Sequence, residues 1–523
     1  MLPEAGGNES AGPSPFAPDS APWPGRLTLV LLVVAGSAIR FLYLARKPFW
    51  FDECFSAEVA QIDWRNFLHL LWWREANMSL YYVLLKVWLL FSPHGGQSPF
   101  FIRSLSVVIA AATLPAIYWL GVLLYNRRVA LIAAALLTFN AYHVRYAQEA
   151  RGYALFVLLA TLSSACLIAF LREPSRRRSA GYGLASVLAV YAHFYALLLV
   201  AAHWLVLRCF GGPRAMGAAL SAQLRRAWIM IGVAVFPLLV FVAKTGAGPI
   251  RWIQRPGVHD LFAFCEHLAG GDNWPLAAIF AVACIAAVAP VGKHLFARNQ
   301  GWETWRCQFL LIWLLFPVVL TVLLSFARPV FLARYMIFCL PALAVLAAAG
   351  LARIRQSWLL AATLSAVLLF CSQGVSFVYS HDFDNERDAS GAATNFILDH
   401  SLPGDAIIFH IAETRVPYEF FRSVRAGRNS ASPAFNAQFG PDILFPHQGT
   451  GLDYRDFTGK PTADFVQSAA ARHKRVWVML MNNGTALNPD PTTIMLTRVL
   501  AGSFARAEQW EFTRVEVRVY SRE

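Results

Sequence analysis

The chain reads as a polytopic α-helical membrane protein with an external C-terminal α/β domain, and three features predict this. Of its 523 residues 57% are hydrophobic and 15% charged, against about 45–50% and about 25% in soluble domains. Mean hydropathy is +0.47. The apolar residues fall in long runs as far as residue 378, after which charges return and strand-like patterns begin. The 39 Phe, 17 Trp and 16 Tyr suffice for aromatic belts at both membrane interfaces.

Residues 1–25, rich in Pro, Gly, Ala and Ser, read as a disordered leader without the basic start of a signal peptide. A span needs about 17–25 apolar residues. Runs near 27–45, 101–124, 127–143, 153–171, 181–192, 195–210, 227–243, 275–291, 308–326, 335–352 and 357–378 predict about eleven, making 26–380 the membrane domain. Basic residues follow every second span: Arg127-Arg128; Arg172 with Arg176-Arg177-Arg178; Arg208, Arg214, Arg225 and Arg226; Lys293, Arg298 and Arg306; Arg353 and Arg355. The positive-inside rule places these loops, and the N-terminus, in the cytoplasm. The chain is then expected in the cytoplasmic (inner) membrane, with its C-terminal domain periplasmic or extracellular. That distribution accounts for the net charge of +14 through membrane orientation, with lipids as partners and no nucleic acid. Arg40, Arg46 and Lys47 oppose the pattern and read as cations serving an external site. The eight Cys lie mostly in apolar runs, none after residue 371, and none at metal-type spacing.

The first external loop, 46–100, has helical apolar spacing over 57–71 and 80–91, which predicts helices lying in the interface. Residues 381–523 read as the external α/β domain. Strands are expected at Ala406–Phe409 after a Pro-Gly-Asp turn, at Val476–Leu480 and at Val515–Tyr520, with a long loop over 428–462.

Two charged clusters share the outer face. Asp52 and Glu53 follow span one inside Phe49-Trp50-Phe51-Asp52-Glu53-Cys54. Carboxylates beside the bilayer are costly unless they bind or react with something. They are candidates for a general base or a metal ligand, the alternative being a helix cap near Ser56. The second cluster is Tyr146-Ala147-Gln148-Glu149-Ala150-Arg151-Gly152-Tyr153, extended backwards by Tyr142, His143 and Arg145. With Arg334-Tyr335 at the start of span ten it forms a cation-rich surface suited to phosphate. Arg145, Gln148, Arg151, Tyr153, Arg334 and Tyr335 are the candidate phosphate-binding residues.

The order Trp50-Phe51-Asp52-Glu53, Ser79-Leu80-Tyr81-Tyr82, Arg103-Ser104-Leu105-Ser106, Gln148-Glu149-Ala150-Arg151, Tyr191-Ala192-His193-Phe194, Ala333-Arg334-Tyr335 and Arg387-Asp388-Ala389 resembles a family. These are the bacterial family 39-like integral-membrane glycosyltransferases of the GT-C superfamily, related to protein O-mannosyltransferases and lipid A aminoarabinose transferases. The likeness spans most of residues 27–410. It departs at Asn77-Met78-Ser79, where such sequences often carry His and two Pro. The resemblance implies a GT-C-like fold and transfer of a sugar from a polyprenyl-phosphate donor to an acceptor hydroxyl, with inversion. In that reading Asp52, flanked by Glu53, is the base, and Tyr81, Tyr82 and His193 meet the acceptor or sugar. A divalent metal would be held by Glu53 or Glu149. A flippase for lipid-linked sugars is the alternative, and would show ionisable groups at mid-membrane and inverted repeats. A membrane scaffold displaying the tail is a third reading, which leaves Asp52 and Glu149 without a role.

Overall fold

The computed structural model describes residues 24–73, 75–92, 98–212, 218–246, 253–297, 301–380, 388–428, 440–446, 459–481, 484–485 and 488–522. The expected leader, the acidic run from Asp382 to Glu386 with Arg387, and most of the expected 428–462 loop lie outside these residues.

Every apolar run predicted as a span is helical. The membrane domain begins with α1 (Pro24–Phe41), α2 (Phe51–Gln61), α3 (Trp64–Trp73), α4 (Ser79–Leu89), α5 (Pro99–Leu124), α6 (Arg127–Phe139), α7 (Ala141–Ala147) and α8 (Tyr153–Arg172). It continues through α9 (Arg176–Ala192), α10 (Ala196–Phe210), α11 (Ala218–Thr245), α12 (Val258–Ala269), α13 (Trp274–Val288), α14 (Trp302–Ala327), α15 (Leu340–Leu351) and α16 (Ser357–Ser380). Among the described residues seven helical segments are long and apolar enough to cross a membrane, or eight if the bent pair α6–α7 counts as one. The shorter α10, at 15 residues, spans about 22 Å, short of a hydrocarbon core of about 30 Å. The segments Tyr153–Arg172 and Ala333–Leu351 are the most buried, whereas α11 and α16 turn most of their apolar surface outward. Close backbone approach holds the inner helices together. A Cβ at Gly350 of α15 would fall 1.8 Å from the Ala283 carbonyl oxygen of α13, so only glycine permits this small-residue contact.

Two expectations about this domain are corrected. The apolar run 127–143 is not straight: α6 and α7 meet at 60°. Asn140 sits at the break, its Oδ1 accepting from the His143 N–H at 2.9 Å and its Nδ2 donating to the Leu268 carbonyl at 3.1 Å. Arg40 does not serve an external site. It is fully buried and donates to the carbonyls of Gly36, Thr138 and Leu137 at 2.9, 3.0 and 3.1 Å, with His143 Nδ1 at 2.7 Å. A cation here satisfies the carbonyls left open where α6 ends. Lys47 is likewise spent on the Val378 carbonyl.

Within residues 46–100 the expected 57–71 helix is divided at Ile62-Asp63. Asp63 Oδ1 accepts from the N–H groups of Arg65 and Asn66 at 3.0 and 3.1 Å, which starts α3 afresh. The preceding helix, α2, begins at Phe51, so Asp52 and Glu53 stand in its first turn.

The tail contains α17 (Ser390–His400), β1 (Ala406–Phe409), α18 (Arg415–Arg428), β2 (Asp442–Phe445), α19 (Ala463–Arg472) and β3 (Arg475–Met481). A two-stranded hairpin follows, β4 (Gly484–Thr485) with β5 (Asn488–Pro489), then α20 (Pro491–Ala501), β6 (Arg506–Phe512) and β7 (Val515–Ser521). The main sheet has the order β2-β1-β3-β7-β6, with β1 parallel to β2 and β3 and antiparallel pairing across β3–β7 and β7–β6. Alternate residues serve opposite faces. Ile407, Phe409 and Trp477 pack with α17 and Tyr418 of α18, while Ala406, Ile408 and Val478 pack with α19 and α20. The three expected strands are present. β2 falls inside the stretch read as a loop, a correction.

The tail is seated on the segment that follows α1. Val416 and Phe420 of α18 belong to the core of the membrane domain, and the Phe420 ring stacks on Phe49 at 5.1 Å. Asp388 Oδ2 accepts from the Phe51 N–H at 2.8 Å, and its Oδ1 accepts from the Ser390 N–H at 3.3 Å and from the Ser390 hydroxyl. One tail carboxylate thereby caps the first turn of α2. Asp388→Ala is expected to cost about 1 kcal/mol and to speed proteolytic release of the tail, with Asp388→Asn, a competent cap, close to wild type. Equal cleavage of all three proteins would remove Asp388 from tail docking.

Candidate active site

The site is built from Arg103 upward. This residue of α5 is 1% exposed and uses all five guanidinium donors. Nε and Nη2 grip Glu53 Oε1 and Oε2, each at 2.7 Å. Nη1 reaches the carbonyls of Leu44 and Lys47 at 2.8 and 2.9 Å, and Nη2 that of Pro48 at 3.0 Å. Glu53 Oε1 also accepts from the Ala150 N–H at 2.9 Å. One buried ion pair thus fixes the α1–α2 linker, the first turn of α2 and the 148–152 turn together. Adjacent helical residues point about 100° apart, so fixing Glu53 inward leaves Asp52 on another face, partly exposed.

Asp52 and Arg151 are partly exposed, 17% and 13% at their side chains, with Arg151 Nε 3.7 Å from Asp52 Oδ2. Arg151 also donates to the Tyr82 hydroxyl at 3.1 Å and reaches the Asp52 carbonyl at 3.5 Å. Arg334 stands within electrostatic reach of Asp52, Tyr153 and Tyr146, its guanidinium 5.9 Å from the Trp50 ring and 5.8 Å from the Tyr335 ring. Two further carboxyls complete the group. Burial pushes Glu75, between α3 and α4, up to about 7; Arg151 opposes the rise and the charge of Asp52 adds to it. Burial, with Asp52 again, raises Glu413 of the tail to about 7.

Below these groups lies a wall of rings. Tyr146 meets Tyr153 at 4.9 Å, and His193 lies 6.0 Å from Tyr153, 4.8 Å from Tyr335 and 4.9 Å from Phe156. His193 Nδ1 accepts from the Tyr195 N–H at 3.2 Å, which assigns the ring proton to Nε2. The turn that carries His193 is joined to the α3–α4 connection through Asn77, whose Oδ1 accepts from the Phe194 N–H at 3.1 Å. Met78, at φ 61°, follows, and a Cβ at Gly152 would come within 3.1 Å of its side chain. The departure at Asn77-Met78-Ser79 is therefore a packed joint under the site.

Of the sequence candidates, Asp52, Tyr82, Arg151, Tyr153, His193, Arg334 and Tyr335 converge. Two do other work. Tyr81 is buried with its hydroxyl on Ser106 at 2.8 Å. Gln148 donates to the carbonyls of Arg40 and Leu42 at 3.1 and 2.8 Å, tying its turn to the end of α1. Arg145 lies 5.7 Å from the Tyr146 ring, within electrostatic reach of Asp272. Sequence reasoning missed Glu75 and Glu413 and gave Arg103 no role; a lone acid after Trp72-Trp73 was the available signal for Glu75.

The donor set does not fit a metal ion. Both Glu53 oxygens are held by Arg103, and Glu149 is buried. Among the described residues no three His, Cys, Asp or Glu side chains group to hold a cation.

No family model matches the chain, and no curated protein matches it. Solved structures do share its architecture. ArnT from Cupriavidus metallidurans in the apo state aligns over 94% of this chain and 98% of its own, at 13% identity and a TM-score of 0.58. The same protein bound to undecaprenyl phosphate aligns over 94% and 97%, at 14% identity and a TM-score of 0.56. The Archaeoglobus fulgidus oligosaccharyltransferase tethered with an acceptor peptide aligns over 87% of this chain and 68% of its own, at 9% identity and a TM-score of 0.52. At such identities the likeness is one of fold. The resemblance expected from the sequence motifs is met at that level.

Proposed function

We propose, from a GT-C-like fold whose solved neighbours are membrane glycosyltransferases, that this protein transfers a sugar from a polyprenyl-phosphate donor to an acceptor hydroxyl at the outer membrane face. The observation that carries the reading is the pairing of a partly exposed Asp52 with Arg151 and Arg334 over an aromatic wall. Asp52 takes the proton as the acceptor oxygen attacks the anomeric carbon. The bond from that carbon to the phosphate oxygen breaks on the opposite side, with inversion, and the polyprenyl phosphate leaves with the electron pair. In this reading Arg151 and Arg334 are the donors for its growing negative charge, a contribution of several kcal/mol when such donors are preorganised. The Asp52–Arg151 contact is long at 3.7 Å, leaving the guanidinium able to turn to phosphate. No step is routed through a metal.

The test is turnover of a panel of radiolabelled polyprenyl-phosphate sugars by the purified full chain. Sugar transfer or donor hydrolysis supports the reading. Donor binding without turnover, combined with movement of the donor between leaflets of a vesicle, would replace it with the flippase.

Glu75 and Glu413 add a pH dependence of defined sign. Their raised positions, about 7, keep both largely neutral below that pH and anionic above it. Ionisation places negative charge beside Asp52, against an anionic donor. Donor KM is expected to rise by about tenfold from about pH 6 to about pH 9, and Glu75→Gln to flatten much of the rise. An unchanged profile in that variant would remove Glu75 from the donor's field.

A further inference from the structure

At the end of α9 remote from His193, a cavity of about 300 Å³ opens between α9 and α11. Its rim carries Arg176, the first residue of α9, and Arg226 of α11. Both are exposed, and among the described residues neither guanidinium has a carboxylate or carbonyl partner. This is unlike Arg178 next door, which pairs with Glu173 at 2.6 Å. Ser179 and Gln223 line the middle, where the Ser179 hydroxyl donates to the Gln223 carbonyl at 3.2 Å. The apolar part of the cavity is the buried Ala227 and the partly exposed Met230, whose methyl carbon lies over Gly183: a Cβ there would fall 1.9 Å from it. The gradient runs from two free cations through polar groups to this apolar part between membrane helices.

We propose that this cavity binds the phosphodiester headgroup of an anionic phospholipid, with the start of one acyl chain over Met230. Guanidinium forks match phosphate oxygens bidentately, and basic pockets between membrane helices on the cytoplasmic side suit anionic headgroups. The volume sits at the lower end for a ligand pocket, about 300 Å³, room for a headgroup. Under the orientation expected from the basic loops the site faces the inner leaflet, opposite the transfer site, and it is independent of the reaction proposed above. Inorganic phosphate shares the headgroup's charge but has no chain for the apolar part.

The test is binding of phosphatidylglycerol, phosphatidylcholine and inorganic phosphate to the purified full chain in detergent, by native mass spectrometry with thermal unfolding as a second readout. Phosphatidylglycerol is expected to bind and raise the unfolding temperature, and Arg176→Gln/Arg226→Gln to weaken it by about 30-fold, a factor of about five for each cation. Arg177→Gln/Arg225→Gln removes the same charge from exposed residues outside the cavity and is expected to bind as wild type. Equal losses in the two double variants would overturn the site in favour of diffuse surface charge. Stabilisation by inorganic phosphate as strong as by the lipid would overturn the lipid as occupant, as would equal binding of phosphatidylcholine.

Discussion

Asp52→Asn is expected to lower the transfer rate by about 10²–10⁴-fold, the range for loss of a positioned general base, while donor binding persists. The substitution keeps the size and hydrogen-bonding outline of the side chain and removes its basicity. It also removes the anion beside Arg151, so affinity for an anionic donor is expected to hold or improve. The signature is a fall in kcat with KM unchanged or lower. Loss of donor binding in parallel with rate would point instead to a site that collapses without its ion pair, and equal turnover would remove Asp52 as the base. Circular dichroism and elution profile of the variant, matched to wild type, separate chemistry from folding.

The second large effect is expected at the Arg103–Glu53 pair, whose side chains are 1% and 0% exposed. Removing one partner leaves a buried charge without compensation, a cost of about 3–5 kcal/mol. Arg103→Met is expected to depress thermal stability and activity together, because the α1–α2 linker and the 148–152 turn lose a common anchor. Arg103→Lys is expected to rescue little, since an ammonium has three donors where five are used. The double variant Arg103→Met/Glu53→Met should be more stable than either single change, yet remain slow because Asp52 is no longer aimed. A double variant with full activity would show the pair to be dispensable for positioning.

Much of the architecture was legible because the bilayer constrains it. Every apolar run long enough to be read as a span is helical, and the strands Ala406–Phe409, Val476–Leu480 and Val515–Tyr520 lie within β1, β3 and β7. The bend at Asn140 was not legible, since the apolar pattern continues across it and the reason lies in carbonyls that Arg40 satisfies from another helix. β6 was missed because it is an edge strand, exposed at Arg506, Glu508 and Gln509, and edge strands carry charge that hides their pattern. At the site, charge beside an aromatic run pointed to Asp52 and Arg151. Nothing local told Glu53 from Asp52; the distant Arg103 and the Ala150 N–H divide them. Glu413 reaches Asp52's field through the packing of two domains, which no spacing in the chain records.

The cap that Asp388 places on Phe51 has a consequence for biosynthesis. A ribosome completes α2 hundreds of residues before the carboxylate that ends its first turn, and before Phe420, on which Phe49 stacks. The segment around α2 must therefore wait, incompletely held, until residues 388–420 have been made and folded against it. Chains that end before Asp388 would carry Asp52, Arg151 and Arg334 yet lack the clamp on the first turn of α2.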